Sequence, residues 1–198
     1  MNARVSREFT FNAAVHYDDT FIINSYNLNM YMDVATEDIR EQNIALERIK
    51  YLTEYCLENC IFVDYKNTKA IEAYAKANIK VCVLPEEPYD QVVAAVLLSK
   101  FNAITEKKMF INEIEICSSI CDDVKFFVSA EEDIEFDSKL GVWWTDNSPL
   151  IFDSPKKTKK DKIVELKKDS GDWNTIGLGW KDYTASDRGE IVFIPLEK

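Results

Sequence analysis

Two cysteine pairs at four-residue spacing, Cys56 with Cys60 and Cys117 with Cys121, are the first residues whose type and interval could do chemistry. Zinc is held by thiolates and imidazoles at short intervals of this kind. The chain's only histidine, His16, is far from both pairs in sequence. Cys82 makes the cysteine count five, an odd total in a chain of 198 residues, so a disulfide framework is not expected. The thiols read as small buried side chains in a reducing compartment. A Ser-His-Asp relay could be built only around His16, and a lone histidine in a hairpin is more often structural than catalytic. Gly177-Leu178-Gly179 lacks a third glycine at the right spacing and sits in no βαβ unit, so it is no dinucleotide loop. Asp122, Asp123 and Glu131 to Asp133 carry charge for calcium but lack a glycine-turned ligand loop.

Composition narrows the function classes. Net charge is −11, from 24 basic against 35 acidic residues, which argues against nucleic acid and against an anionic membrane surface. A lysine run at Lys156, Lys157, Lys159, Lys160 and Lys162 reads as a solvated loop. The longest apolar run, Val92 to Leu98, falls well short of the roughly 20 residues that span a bilayer. Met1 to Thr10 is polar and charged, unlike a secretory leader, so a cytoplasmic location is expected.

The elements that must position any site follow from periodicity. Phe9, Phe11, Ala13 and Val15 alternate along a half-buried strand from Glu8 to Tyr17. Asp18-Asp19-Thr20 is a turn, and a long antiparallel strand runs from Phe21 to Val34, with a possible bulge in Phe21 to Ser25 where the face parity blurs. Thr36 is expected to cap a helix from Glu37 to Glu58, with Leu46, Ile49, Leu52 and Cys56 on one stripe and Tyr51 and Tyr55 on a second. A short helix from Thr68 ends at Asn78, a left-handed cap, before the extended run Val81 to Leu84. Pro88 suits the first position of a buried helix running to Glu106. Two further strands, around Phe110 to Ile116 and Val124 to Ser129, complete the order β-β-α-(α)-α-β-β. Leu46, Ile49, Leu52, Val93, Leu97 and Phe101 are the expected core. After Ala130 come all four tryptophans, and a last strand is read at Ile191 to Ile194.

Several stretches, taken in order, resemble the T-fold superfamily of 6-pyruvoyl-tetrahydropterin and 6-carboxy-tetrahydropterin synthases. Phe9-Thr10-Phe11-Asn12-Ala13-Ala14 resembles the family's F-x-F-x-A-A-H. Leu57-Glu58-Asn59-Cys60-Ile61-Phe62 stands where that family has L-D-H-x-x-L, then Lys66-Asn67-Thr68 for a short turn, Val81 to Leu84 for a valine-rich run, and Glu87-Pro88-Tyr89-Asp90 for P-T-A-E. The resemblance implies an α+β fold over residues 1–130: a T-fold-like antiparallel sheet in β-β-α-α-β-β order, with helices on one face. Residues 131–198 form a small β-rich extension with a basic loop.

The resemblance also implies chemistry that this chain does not repeat. The family's zinc is held by three histidines, one after A-A and two from H-G-H-x-Y on the second strand. Here Val15 follows Ala14 and His16 comes one residue late, on the other strand face unless a bulge intervenes. The second strand offers Asn24, Ser25, Tyr26, Asn27 and Asn29, and neutral amides are poor zinc ligands. No cysteine precedes Cys56 to serve as the family's general base, and Asn59 cannot relay a proton. The family's ring-anchoring glutamate would fall near Cys117 or Ser118. Glu115 shares a strand face with Cys117 and could grip an amidine-like ring edge. No catalytic residue, metal or cofactor is therefore expected. The candidate ligand-binding residues are Glu115, Cys117, Ser118 and His16. The expected function is a non-catalytic structural or binding protein, a homo-oligomer, in the manner of an accessory protein of a virus or mobile element. The alternative is a pterin- or purine-like ligand, or a divergent synthase-like enzyme, at a subunit-interface pocket. Open sheet edges motivate the self-association.

Overall fold

The computed structural model describes residues 4–122, 124–132, 143–151 and 172–182. The lysine run and the strand read at Ile191 to Ile194 lie outside them. Strands β1 (Arg4–Tyr17) and β2 (Thr20–Val34) form a hairpin in one unbroken register, from Tyr17↔Thr20 to Arg4↔Asp33. Asp18 and Asp19 both take positive φ, 51° and 59°, which matches the two-residue turn favoured by twisted hairpins. The bulge allowed for near Phe21 is thus absent from the hairpin. It falls instead where β2 meets β5 (Met109–Ser118), between Tyr31 and Met32, with Asn112 as the additional residue on β5. The Asn102 amide clasps Ile111 beside it, accepting from its N–H at 2.9 Å and donating to its carbonyl at 3.0 Å.

Helix α1 (Ile39–Tyr51) starts two residues later than expected. Its cap is Asp38, whose carboxylate accepts from Arg40 N, while Thr36 spends its hydroxyl on Glu41. The helix then widens into a π-helical turn over Leu52–Leu57, where Thr53 Oγ1 donates back to the Ile49 carbonyl. Helix α3 (Asp90–Thr105) follows a Tyr89 cap, so Pro88 precedes the cap instead of opening the helix. Glu106 ends it in the left-handed conformation at φ 48°. All six expected core residues are buried.

The α+β order expected from the sequence stands, with two additions. Cys60–Asp64 forms β3, parallel to β1 through Ala13 to His16, and Val81–Leu84 forms β4, parallel to β3. With β6 (Lys125–Ser129) the sheet has six strands in the order β4-β3-β1-β2-β5-β6, and it is mixed, not wholly antiparallel. The helices also divide between the faces. Phe9, Phe11, Leu28, Met30, Ile114 and Ile116 pack with residues of α1 and α3 in one apolar cluster. The other face carries α2 (Thr68–Lys76), set by Ala70, Ile71 and Tyr74 on Ala14, Ile61, Val63 and Val81. The cause is the period-two alternation of β3, which makes Ile61 and Val63 apolar on the face opposite Cys60 and Phe62.

Two buried cations fasten the Trp-bearing segments over the helices. Lys100 Nζ donates to the carbonyls of Trp143, Asp146 and Ser148 at 2.7–2.8 Å. Arg48 donates to the carbonyls of Leu178 and Ile104 and to Glu106. Trp143 Nε1 donates to Val83 O at 2.8 Å, which caps one backbone acceptor of β4. The described parts of the extension are turns.

Candidate functional site

Strand alternation decides which side chains can meet. Residues paired across an antiparallel ladder share a face. The pairs Ala13↔Asn24, Phe11↔Tyr26 and Tyr26↔Ser118 lie on the α1/α3 side, while Asn27↔Cys117 and Asn29↔Glu115 lie on the other. Glu115 and Cys117 therefore share a face, as expected, but Ser118 points to the opposite one. Glu115 is held by Lys125 at 2.7 Å. His16 is on the α2 side, its Nδ1 2.8 Å from the Tyr74 hydroxyl. No bulge returns it to the face of Val15. The four candidate residues do not form one site: the structure separates His16, the Glu115–Cys117 face, and Ser118.

Ser118 instead belongs to a buried polar cluster beneath the start of α3. Asn24, Tyr26, Asp90 and Ser118 are each nine-tenths or more buried. The Asn24 Nδ2, Tyr26 Oη, Asp90 Oδ2 and Ser118 Oγ atoms have no hydrogen-bond partner. The Tyr26 ring stacks on Phe11 at 4.9 Å and meets Phe62 edge-on at 5.7 Å. Burial pushes its hydroxyl well above the ordinary phenol value; the nearby Asn24 amide opposes the rise and the Asp90 carboxylate adds to it. Burial also raises the Cys121 thiol, with Asp90 adding to the shift and Ser118 opposing it. A thiol shifted this way is not an activated nucleophile. Asn24 Oδ1 accepts from Ser119 Oγ and Ile120 N, which clasps the turn after β5 over the cluster.

Asp90 and Tyr26 were not recognised as site residues from sequence. The available signal was a pair of polar residues, Asn24 and Tyr26, on the core-facing parity of β2, and a carboxylate on the first residue of an apolar helix.

Zinc does not fit this donor set. Val15, Asn24 and Tyr26 stand on the helix side near the hairpin and supply no imidazole, and the one histidine is on the far face. Among the described residues, no three His, Cys, Asp or Glu side chains converge as a metal site. Nor is any helix among them long and apolar enough to cross a membrane.

No family model matches this sequence, and no curated protein matches it. Solved structures do. An uncharacterised protein, WS1659 from Wolinella succinogenes, is 9% identical with a TM-score of 0.50, over 66% of this chain and 99% of that one. The 6-pyruvoyltetrahydropterin synthase of Plasmodium vivax is 12% identical with a TM-score of 0.42, over 65% and 97%. That of Plasmodium falciparum is 16% identical with a TM-score of 0.41, over 64% and 96%. Likeness at such identities is likeness of fold. The chain has a T-fold-like α+β architecture, and its resemblance to the tetrahydropterin synthases is a distant one.

Proposed function

We propose that this chain is a non-catalytic, T-fold-like structural or binding module that works as a homo-oligomer. The observation that carries the reading is Tyr26. Its ring is 2% exposed and fills the helix-side space beside Asn24 and Val15, where the family resemblance calls for zinc-binding imidazoles. A buried phenol with a raised pKa offers neither a metal ligand nor a base near neutral pH. Self-association is supported by backbone left open at two places in the sheet. The outer side of β1 is paired only from Ala13 to His16, and β6 is the last strand. Such a role suits the accessory protein of a virus or mobile element that the sequence reading expects.

A second reading is favoured by the unpartnered atoms of the cluster. Asp90 Oδ2 can accept, Asn24 Nδ2 can donate, and Ser118 and Tyr26 can do either. That set complements the lactam or amidine edge of a pterin- or purine-like ring. Metal analysis together with thermal shifts against pterins and purines separates the two readings. The first expects no stoichiometric zinc and no specific shift. A specific shift abolished by Ser118→Ala would replace it with the second, and zinc held by three or more protein ligands would overturn both.

A further inference from the structure

The outer side of the β1–β2 hairpin tip is an unpaired strand edge. β5 reaches back along β2 only to Tyr26, and Ser119 bonds Ser25 just beyond it, donating to Ser25 O at 3.0 Å and accepting from Ser25 N at 3.1 Å. Among the described residues, no strand lies beside Thr20 to Asn24 on that side. Backbone groups of an antiparallel strand turn alternately to one neighbour and the other. Ser25 turns both of its groups away from β1, so Ile23 and Phe21 do the same. These are also the hairpin's most exposed apolar side chains, 74% and 53%. Segment 20–25 holds no lysine, proline or charge, the devices that usually blunt an edge.

We infer that this edge is where a second copy of the chain adds its own β2 tip, antiparallel and about a two-fold axis. The geometry is self-complementary. With Ile22 opposite the partner subunit's Ile22, both groups of Phe21 meet both groups of the partner subunit's Ile23, and the reverse. The same register sets Phe21 beside the partner subunit's Ile23 on one face, an aromatic against a β-branched side chain. Net charge −11 repels two copies in general, so the uncharged tip is a place where they can approach closely. Tyr17, Ile22, Tyr89 and Ile120 are also exposed around the tip. At roughly 150–250 Å² per large side chain, the exposed parts of these six residues come to about 500–600 Å² per copy. Two copies would bury about 1,100 Å², just above the roughly 1,000 Å² that marks a specific interface. The contact is independent of the β1 and β6 edges, so it goes beyond the proposed ring.

Light scattering on a size-exclusion column tests it with Ile23→Lys and Phe21→Lys. The wild-type chain should run as an even-numbered assembly, at least twice 22.9 kDa. Each variant should halve that mass without lowering the melting temperature, because both side chains are already in solvent. Ile39→Lys, at an apolar site 56% exposed elsewhere, should leave the mass unchanged. A wild-type monomer, or an assembly whose mass Ile23→Lys leaves intact, overturns the inference. An assembly that Ile23→Lys halves but a β1-edge variant does not reduce would retain this contact and remove the ring.

Discussion

The Arg48 guanidinium carbon stands 3.8 Å from the centre of the Trp180 ring. Trp173 lies at 4.9 Å from the same carbon, and the donors of the fork reach Leu178 O, Ile104 O and Glu106. Burial lowers the Arg48 pKa and Glu106 opposes the shift, yet the group remains a cation at neutral pH. One side chain thus joins α1, the end of α3 and a segment far along the chain.

Arg48→Met should cost about 3–5 kcal/mol, because it strands a carboxylate and two carbonyls that the fork had satisfied. Arg48→Lys should recover only a minor part, since an ammonium cannot reproduce the planar fork or its stacking. Urea unfolding followed by tryptophan emission measures both. A loss below about 1 kcal/mol for Arg48→Met would reduce the contact to the rank of a surface pair.

Leu97 is buried in the apolar cluster between α3 and the sheet. Leu97→Ala should lower stability by about 2–5 kcal/mol, the deleted methyl groups plus the cavity they leave. Ile39→Ala, on an exposed position, should change it by no more than about 0.5 kcal/mol. Equal effects at the two sites would contradict the helix-face assignment.

That assignment was legible from sequence because α3 is apolar over most of its surface and α1 repeats at helical spacing. β1 and β2 were legible through alternation. β3 was not, since Cys60-Ile61-Phe62-Val63 is apolar at every position and short enough to read as a link. Missing β3 hid the second apolar face and the place of α2. The site was harder still. The partners of Ser118 lie on β2 and α3, and only the register of two ladders brings Asn24, Tyr26, Asp90 and Ser118 together. His16 was legible in one respect: a one-residue displacement in an unbulged strand put it on the far face.

Alkaline pH should destabilise the protein. Burial raises the Cys56 thiol from 9.0 to about 11, and it raises Cys82 as well. A raised native pKa means that the native state holds the proton where the unfolded chain has lost it. Cys56's contribution is therefore complete below about pH 9 and is lost as pH climbs toward 11. Cys56→Ala should flatten part of that decline in denaturant midpoints taken at pH 8 and pH 10.5. An unchanged slope would mean that Cys56 is not responsible.

Assembly through the sheet edges makes the sharpest prediction. By the alternation that fixes Ser25, the even residues of β1 turn their backbone groups away from β2. Asn12 agrees: its carbonyl accepts from Asn59 N at 2.7 Å and its N–H donates to Glu58 at 2.8 Å. Thr10 and Glu8 continue that phase beyond the reach of β3, so their outward groups are open for a neighbouring copy's β6. Thr10→Pro removes one outward donor and spares the ladder to β2, the edge placement a strand proline tolerates. A ring closed through β1 and β6 should lose mass in this variant while its circular dichroism stays native-like. The same substitution leaves the hairpin tip untouched, so a residual dimer is expected wherever the tip contact holds. If Thr10→Pro folds and keeps the full wild-type mass, β1 is not a subunit junction. The ring would then have no closing edge, and the interface pocket required by the heterocycle reading would go with it.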